Sequence, residues 1–233
     1  MGRAIASAFA LPGARIAVHY CSSKEEAEEV AKAFQQAGAE SATFQADLTD
    51  TAAVTAFANS VAAQFGKVDL LVCSAAVFKP TPWPEVTDAD WSFHMEANLG
   101  GTFRLVRAFA PHVASGGLVV TFGDWSAQRP YRGFLPYSVS KAGVLALTQA
   151  LAQEMAPAVR VNCISPGTML PPEDASQEKR DAIAKATPLQ RIGSPDDVVN
   201  AVRYLWQADF MTGSNLVVDG GRLIANADWS PTE

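Results

Sequence analysis

The sequence predicts an α/β protein in which a parallel sheet carries helices on both faces. Short apolar runs of strand length alternate with longer helical segments along the chain of 233 residues. Two of the runs, 68–73 and 117–123, are apolar at most positions, which is typical of buried strands. No linker, internal repeat or low-complexity stretch interrupts the alternation. Residues 1–233 are therefore predicted to form one doubly wound domain.

Capping and breaking residues mark where the elements begin and end. Ser23 and Asp50 can cap helices, and Gly38 and Gly66 follow the last turns of the same two helices. Strands are predicted at 14–20, 41–46, 68–73, 117–123, 159–164 and 215–218. Helices are predicted at 3–11, 23–37, 51–65, 88–113, 137–156 and 196–208. The irregular segment 165–193, which holds a short polar helix, is long enough to be a lid or a disordered loop.

Composition excludes several classes of function. A net charge of -6 and the lack of any Lys/Arg block argue against a nucleic-acid surface. No apolar run approaches the roughly 20 residues that span a membrane. The three cysteines, Cys21, Cys73 and Cys163, are far apart and lie in or beside apolar runs. They are interpreted as reduced packing residues of a cytoplasmic protein, with no disulfide frame and no metal site.

Asp124, Tyr137 and Lys141 are the strongest candidates for chemistry. Tyr137 and Lys141 stand four apart on a predicted helix, which puts phenol and ammonium on one face. A nearby ammonium stabilises phenolate, so the pKa of Tyr137 is expected to fall below about 10 and to suit general acid catalysis. Asp124 follows the run 117–123 and would emerge at the carboxyl end of a strand, where open α/β sheets bind ligands.

The start of the chain lies inside a nucleotide-binding pattern. A Rossmann-type domain opens with a strand and a glycine-rich turn before its first helix, whereas this chain begins at Gly2 with the helix. We expect the first strand and most of the turn to be missing, through a misplaced or truncated start. The neighbours of that strand would then lack backbone partners.

The order and spacing of several motifs resemble the short-chain dehydrogenase/reductase family over nearly the whole chain. The matching pieces are Gly2-Arg3-x-Ile5-Ala6, Asp47-Leu48, Asn98-Leu99-x-Gly101-x-Phe103, Tyr137-x-x-x-Lys141, Arg160-Val161-Asn162, Ser165-Pro166-Gly167 and Asp219-Gly220-Gly221. The resemblance implies an NAD- or NADP-dependent oxidoreductase with a small-molecule substrate. It implies that Tyr137 donates a proton, that Lys141 holds the nicotinamide ribose and that Asn98 holds a relay water. It also implies a homo-oligomer, commonly a tetramer joined through the helices at 88–113 and 137–156.

Asp124 departs from the family, which usually has a serine thirteen residues before the tyrosine. A serine hydroxyl can donate a hydrogen bond to a carbonyl, whereas a carboxylate only accepts. The site therefore favours a nitrogen heterocycle or imine, rich in N–H groups, over a plain ketone. The alternative is that Ser126 replaces the lost serine after a loop shift.

Aspartate at this position resembles the pteridine reductase branch. Residues 75–82 resemble the pterin-binding loop of that branch, in which the aromatic residue matching Phe78 stacks the pterin. An aromatic face suits a flat heterocycle. We predict a dihydropteridine or dihydrofolate substrate that is reduced at a C=N bond. The alternatives are a carbonyl or 3-oxoacyl reductase and a truncated, non-catalytic family member.

The predicted cofactor is NADPH. The segment 18–23 resembles the NADP-binding turn of the branch, and no carboxylate follows the second predicted strand until Glu25. Hydroxyls at a helix start favour a phosphate instead. Asp47 is expected near the adenine, with a turn or cap role as its alternative. The full predicted set of cofactor-binding residues is Gly2, His19, Tyr20, Ser22, Ser23, Asp47, Leu48, Ser74, Ala75, Lys141, Pro166 and Gly167.

Overall fold

A computed structural model describes residues 1–171 and 175–225. Its six strands are β1 (Arg15–Tyr20), β2 (Glu40–Gln45), β3 (Val68–Cys73), β4 (Val113–Phe122), β5 (Val159–Pro166) and β6 (Asn215–Val218). Its α-helices are α1 (Gly2–Phe9), α2 (Lys24–Gln36), α3 (Thr51–Phe65), α4 (Asp88–His94), α5 (Gly101–Phe109), α6 (Leu135–Met155), α7 (Gln177–Lys185) and α8 (Pro195–Gln207). The α/β fold class is confirmed, whereas the extent of one domain over 1–233 stays a prediction.

All strand pairs in the described residues are parallel. β3, β4, β5 and β6 form a four-stranded sheet in that order, and β1 pairs only with β2. β1 and β3 thus each have one edge without a strand partner within the described residues. The predicted loss of a strand between them stays a prediction.

Apolar side chains pack on both faces of the sheet. One cluster joins Val119 and Val161 to α3 and α5, including Phe57 and Phe109. The other joins residues of β4 and β5 to α1 and α8, including Leu205. Helices on both faces leave the carboxyl ends of β3, β4 and β5 as the place where polar side chains can meet.

The predicted long helix over 88–113 is observed as a helical run over 88–112 that changes type along its length. α4 starts with a capping box between Thr87 and Asp90, and it passes into a π-helical segment over Met95–Gly100 before α5 begins. A short 3-10 turn over Ala110–His112 contains Pro111 and ends the helical run. β4 then begins at Val113, four residues earlier than predicted. The widened π turn matters because it carries Asn98.

Candidate active site

Asp124 and Tyr137 meet at the end of β4. The Tyr137 hydroxyl donates to Oδ2 of Asp124 over 2.9 Å. The backbone N–H of Ser126 donates to Oδ1 over 2.7 Å, which fixes the carboxylate at the start of a short 3-10 turn. Ser126 itself is fully buried and its hydroxyl has no partner within the described residues. The carboxylate, not the Ser126 hydroxyl, is therefore the group that contacts the phenol.

Lys141 lies one helical turn after Tyr137 on α6. It is buried, and its Nζ donates to the carbonyl of Phe122 over 2.8 Å. Nζ stands 5.8 Å from the centre of the Tyr137 ring. Burial lowers the pKa of Lys141 to about 8, and the charge of Asp124 opposes that shift.

The predicted fall in the pKa of Tyr137 is wrong. Burial of the ring raises the pKa of Tyr137 well above its usual range, and the adjacent Asp124 carboxylate raises it further by charge and by hydrogen bonding. The ammonium of Lys141 points to the Phe122 carbonyl, so it does not offset these effects. In this arrangement Tyr137 keeps its proton near neutral pH.

Asn98 holds the loop that follows β3. Its Oδ1 accepts from the Val77 N–H over 2.7 Å, and its Nδ2 donates to the Val77 carbonyl over 3.1 Å. Nδ2 also donates to Oγ of Ser140 over 3.0 Å. Asn98 therefore links the 74–86 loop to α6 by hydrogen bonds, and the predicted water-holding role stays a prediction.

Aromatic rings cluster beside the Asp124–Tyr137 pair. Phe78 is 59% exposed and lies edge-on to Tyr137, with ring centres 4.7 Å apart. One face of Phe78 is stacked on Phe134 at 4.5 Å and 8°. Tyr131 packs edge-on against both Phe78 and Phe134. Phe78 can therefore offer only its other face to a ligand.

His19 does not present a free side chain to a cofactor. Its Nε2 donates to the Ala46 carbonyl over 2.9 Å, and its ring lies 5.1 Å from the ring of Phe57. Burial lowers the pKa of His19, so the ring is held neutral between β1 and α3. This geometry favours a packing role over the predicted cofactor contact.

The other residues predicted to bind the cofactor near β1 and β2 differ in their exposure and in their hydrogen bonds. Ser22 and Ser23 are exposed, and Ser23 stands at the start of α2 without donating or accepting a capping bond. Asp47 accepts from both the N–H and the hydroxyl of Thr49, which is the turn role that was its alternative. Tyr20 and Leu48 are half-buried.

The remaining predicted contacts lie at the ends of α1, β3 and β5. Gly2 approaches Ser74 so closely that a Cβ at Gly2 would stand 2.7 Å from the Ser74 hydroxyl oxygen. Ala75 follows and is exposed. Pro166 ends β5, and the N–H of Gly167 donates to the Val218 carbonyl over 2.8 Å.

Sequence reasoning missed three side chains of this region. Tyr131 lies beside Asp124, and burial together with that carboxylate raises its pKa above the usual range. Phe134 covers Phe78, and His94 is fully buried below the loop. The one available signal was the spacing of His94 and Asn98, which stand four apart on a helical segment.

Comparison with known proteins identifies the family. A family model described as enoyl-(acyl carrier protein) reductase matches residues 1–222. The chain belongs to the short-chain dehydrogenase/reductase family. The matched model and the named relatives are reductases and dehydrogenases, so the prediction of an oxidoreductase is confirmed at that level.

Named relatives cover most of the chain. A 3beta-hydroxysteroid dehydrogenase 1 of Eggerthella lenta is 33% identical, over 95% of this chain and 88% of its own length. The 3-oxoacyl-[acyl-carrier-protein] reductase FabG of Staphylococcus aureus is 30% identical, over 95% and 93%. A short-chain dehydrogenase from Burkholderia cenocepacia, solved in complex with NADP, is 30% identical over 95% and 92%, with a TM-score of 0.88. None of these three is described as a pteridine reductase.

The described residues contain neither a membrane-spanning helix nor a cluster of metal-binding side chains. Within residues 1–171 and 175–225, no helix is long and apolar enough to cross a membrane. Over the same residues, no group of three or more His, Cys, Asp or Glu side chains could hold a metal ion.

Proposed function

We propose that this short-chain dehydrogenase/reductase is an NADPH-dependent reductase of a flat nitrogen heterocycle with a C=N bond, of the dihydropteridine or dihydrofolate type. The observation that carries the proposal is the 2.9 Å hydrogen bond from the Tyr137 hydroxyl to Asp124. This bond puts a carboxylate where the family usually has a serine hydroxyl.

The carboxylate sets the kind of substrate that the pocket accepts. Asp124 can accept hydrogen bonds through both oxygens, and the Ser126 N–H and Tyr137 hydroxyl use part of that capacity. Substrate N–H groups can use the rest. A carbonyl oxygen that gains negative charge would instead be repelled by the same group.

Tyr137 is the proton donor of the proposed reaction. Its raised pKa keeps the phenol protonated, so a proton is available for the substrate nitrogen at neutral pH. Lys141 lies over the ring of Tyr137, with Nζ 5.8 Å from the ring centre, and is held there by its bond to the Phe122 carbonyl. Asn98 fixes the loop that carries Phe78 relative to α6.

Phe78 and the rings around it support a flat substrate. The exposed face of Phe78 is available for stacking, while Phe134 covers the other face and holds the ring in place. A planar heterocycle stacked on Phe78 would lie next to Tyr137, whose ring touches Phe78 edge-on. Stacking and N–H recognition would thus act on the same ligand.

The residues at the strand ends fit an NADP-type dinucleotide. Ser22 and Ser23 are exposed at the start of α2, and the Ser23 side chain makes no capping hydrogen bond to the helix. No carboxylate lies between β1 and Glu25. A Cβ at Gly2 would displace the Ser74 hydroxyl, so glycine at this position lets Ser74 keep its place beside the end of β3. When bound, the cofactor supplies the hydride. The relative from Burkholderia cenocepacia, solved with NADP, supports the same choice.

The proposal is tested by steady-state kinetics with dihydrobiopterin and dihydrofolate against a panel of ketones, each with NADPH and with NADH. We expect pterin reduction with a large preference for NADPH. Asp124→Ser should lower pterin turnover about 10- to 100-fold, since hydrogen bonds to charged groups contribute about 1.5–3 kcal/mol. NADPH binding should stay nearly unchanged. Unaltered pterin turnover in Asp124→Ser would refute the assignment.

A second candidate is reduction of a carbonyl or 3-oxoacyl group. The relative named as a 3-oxoacyl-[acyl-carrier-protein] reductase favours it. It predicts that ketones or 3-oxoacyl thioesters are turned over and pterins are not. It also predicts that Asp124→Ser raises carbonyl reduction, because a donor replaces a repelling charge.

Assembly and cofactor binding complete the proposal. We infer a cytoplasmic homotetramer joined through the helices at 88–113 and 137–156. Four large apolar side chains on these helices, Trp91, Phe93, Phe103 and Val139, are exposed, which supports an interface there. Light scattering after gel filtration measures the assembly. Fluorescence titration with NADPH tests the remaining alternative, since a truncated, non-catalytic protein predicts no saturable binding.

A further inference from the structure

His94 is a buried histidine whose two ring nitrogens both have backbone partners. It is the last residue of α4 and has no exposed surface. Nδ1 donates to the carbonyl of Asp90 over 2.9 Å, and the N–H of Lys79 donates to Nε2 over 3.4 Å. A carbonyl only accepts, so Nδ1 carries the hydrogen and Nε2 is free to accept. One neutral tautomer satisfies both contacts.

The second of these contacts lies directly beside Phe78. Lys79, on one side of Phe78, is held by His94, and Val77, on the other side, is held by Asn98 at 2.7 and 3.1 Å. The two holding side chains stand four apart, on the same face of the helical run. The backbone of Phe78 is thus tied at both ends to one helix face.

The same imidazole also supports the proton donor. The rings of His94 and Tyr137 are edge-on with centres 6.4 Å apart, and Phe78 touches Tyr137 from the loop side at 4.7 Å. The Lys79 ammonium lies 3.3 Å from Asp90 but is largely exposed, so this ion pair contributes little to holding the loop. His94 is the buried connection between Lys79 and α4.

We propose that His94 is a positioning residue that sets the place of Phe78 against Tyr137 through the backbone of Lys79. It touches neither substrate nor cofactor. This inference rests on the proposed function, because it makes the position of the substrate-stacking residue Phe78 depend on a buried residue that lies behind it. Without the contact, the backbone of Phe78 would be held by Asn98 on the Val77 side only, so substrate stacking on Phe78 should weaken more than proton transfer does.

Two near-isosteric variants separate the contacts of the imidazole. His94→Gln keeps an acceptor near the position of Nε2, and His94→Asn keeps a donor near the position of Nδ1. His94→Leu removes both. Lys79→Met is the matched control, because it removes the surface ion pair with Asp90 and leaves the Lys79 N–H in place.

Hydrogen exchange in the unliganded protein gives a readout that needs no substrate. We expect the amides of the 77–81 segment to exchange about tenfold faster in His94→Leu and His94→Asn. His94→Gln and Lys79→Met should stay within about twofold of the unmodified protein. A tenfold change corresponds to about 1.4 kcal/mol, within the range for one hydrogen bond. Equal exchange in the Gln and Asn variants, or normal exchange in His94→Leu, would overturn the proposal.

Kinetics then tie the exchange result to the substrate. With whichever of dihydrobiopterin or ketone the unmodified enzyme reduces, His94→Leu and His94→Asn should raise KM about tenfold and change kcat by less than about threefold. His94→Gln should restore KM. If the enzyme reduces ketones and not pterins, the pterin proposal is refuted, but the KM of the His94 variants can still be measured with the ketone. The two failures are therefore distinguishable. An equal fall of kcat in all three variants would assign His94 a purely structural role and reject the inference.

Discussion

Replacing Asp124 with asparagine tests the electrostatics of the site with almost no change of shape. Asparagine can still accept the Tyr137 hydroxyl through its side-chain oxygen, but the negative charge is gone. In the unmodified protein, burial and the Asp124 charge both raise the pKa of Tyr137. Removing the negative charge of Asp124 should therefore lower the pKa of Tyr137.

The size of the shift follows from the contact distance. The hydroxyl and carboxylate oxygens are 2.9 Å apart, so the two charge centres of a phenolate–carboxylate pair would lie about 4 Å apart. At an effective dielectric constant of about 20, such a pair repels by about 4 kcal/mol. One pKa unit is about 1.4 kcal/mol, so Asp124→Asn should lower the pKa of Tyr137 by about 3 units. Burial remains, and the pKa stays near or above that of a free phenol.

The measurement is the ultraviolet absorbance of tyrosinate between about pH 9 and 13, over which Tyr137 should ionise at lower pH in Asp124→Asn than in the unmodified protein. The chain has four tyrosines, so Tyr137→Phe is prepared both alone and with Asp124→Asn, and each difference spectrum isolates Tyr137. A direct titration is needed because Lys141, with a pKa of about 8, also affects the alkaline side of any rate profile. If Tyr137 ionises at the same pH with and without Asp124→Asn, the carboxylate does not control the phenol and the reasoning fails.

Three further predictions concern neighbouring side chains. Burial lowers the pKa of Lys141 from 10.5 to about 8, so the folded state loses stability as the pH falls from 10.5 through 8. Relative to Lys141→Met, the unmodified protein should therefore gain about 2–3 kcal/mol of unfolding free energy between pH 7 and 10.5 in urea titrations, and a flat difference would contradict this. Ser126→Ala should keep kcat and KM within about twofold, because that hydroxyl has no partner and does not contact Tyr137; a hundredfold loss would revive the loop-shift alternative. Phe78→Leu should raise substrate KM about tenfold and leave the melting temperature almost unchanged, since the ring is mostly exposed; an unchanged KM would remove it from the substrate site.

Local signals in the sequence were enough for most of the framework. The strands β3 and β6 and the helix α3, with its Asp50 cap, begin and end where the apolar runs and capping residues predict. The same signals predicted the helical run at 88–113 but not its π segment over Met95–Gly100 or the 3-10 turn that holds Pro111.

The site was predictable as a set of residues and not as an electrostatic environment. Spacing after β4 and along α6 brought Asp124 and Tyr137 together correctly. The pKa of Tyr137 depends on burial and on the direction of the Lys141 ammonium, and neither can be predicted from the spacing of residues in the sequence. The hydrogen bond of His19 to the Ala46 carbonyl could not be predicted from local sequence either, because it joins residues 27 positions apart.

Asp124 acts on both partners of the proton transfer in a way that favours reduction. Its charge raises the pKa of Lys141 against the effect of burial, and it raises the pKa of Tyr137 together with burial. Both groups therefore hold their protons more firmly than they would beside a neutral serine. A protonated phenol can deliver a proton to a substrate nitrogen, whereas oxidation of an alcohol needs a phenolate to remove one. The same carboxylate that selects N–H groups thus keeps Tyr137 protonated to higher pH, so reductive turnover should persist to higher pH than in Asp124→Ser.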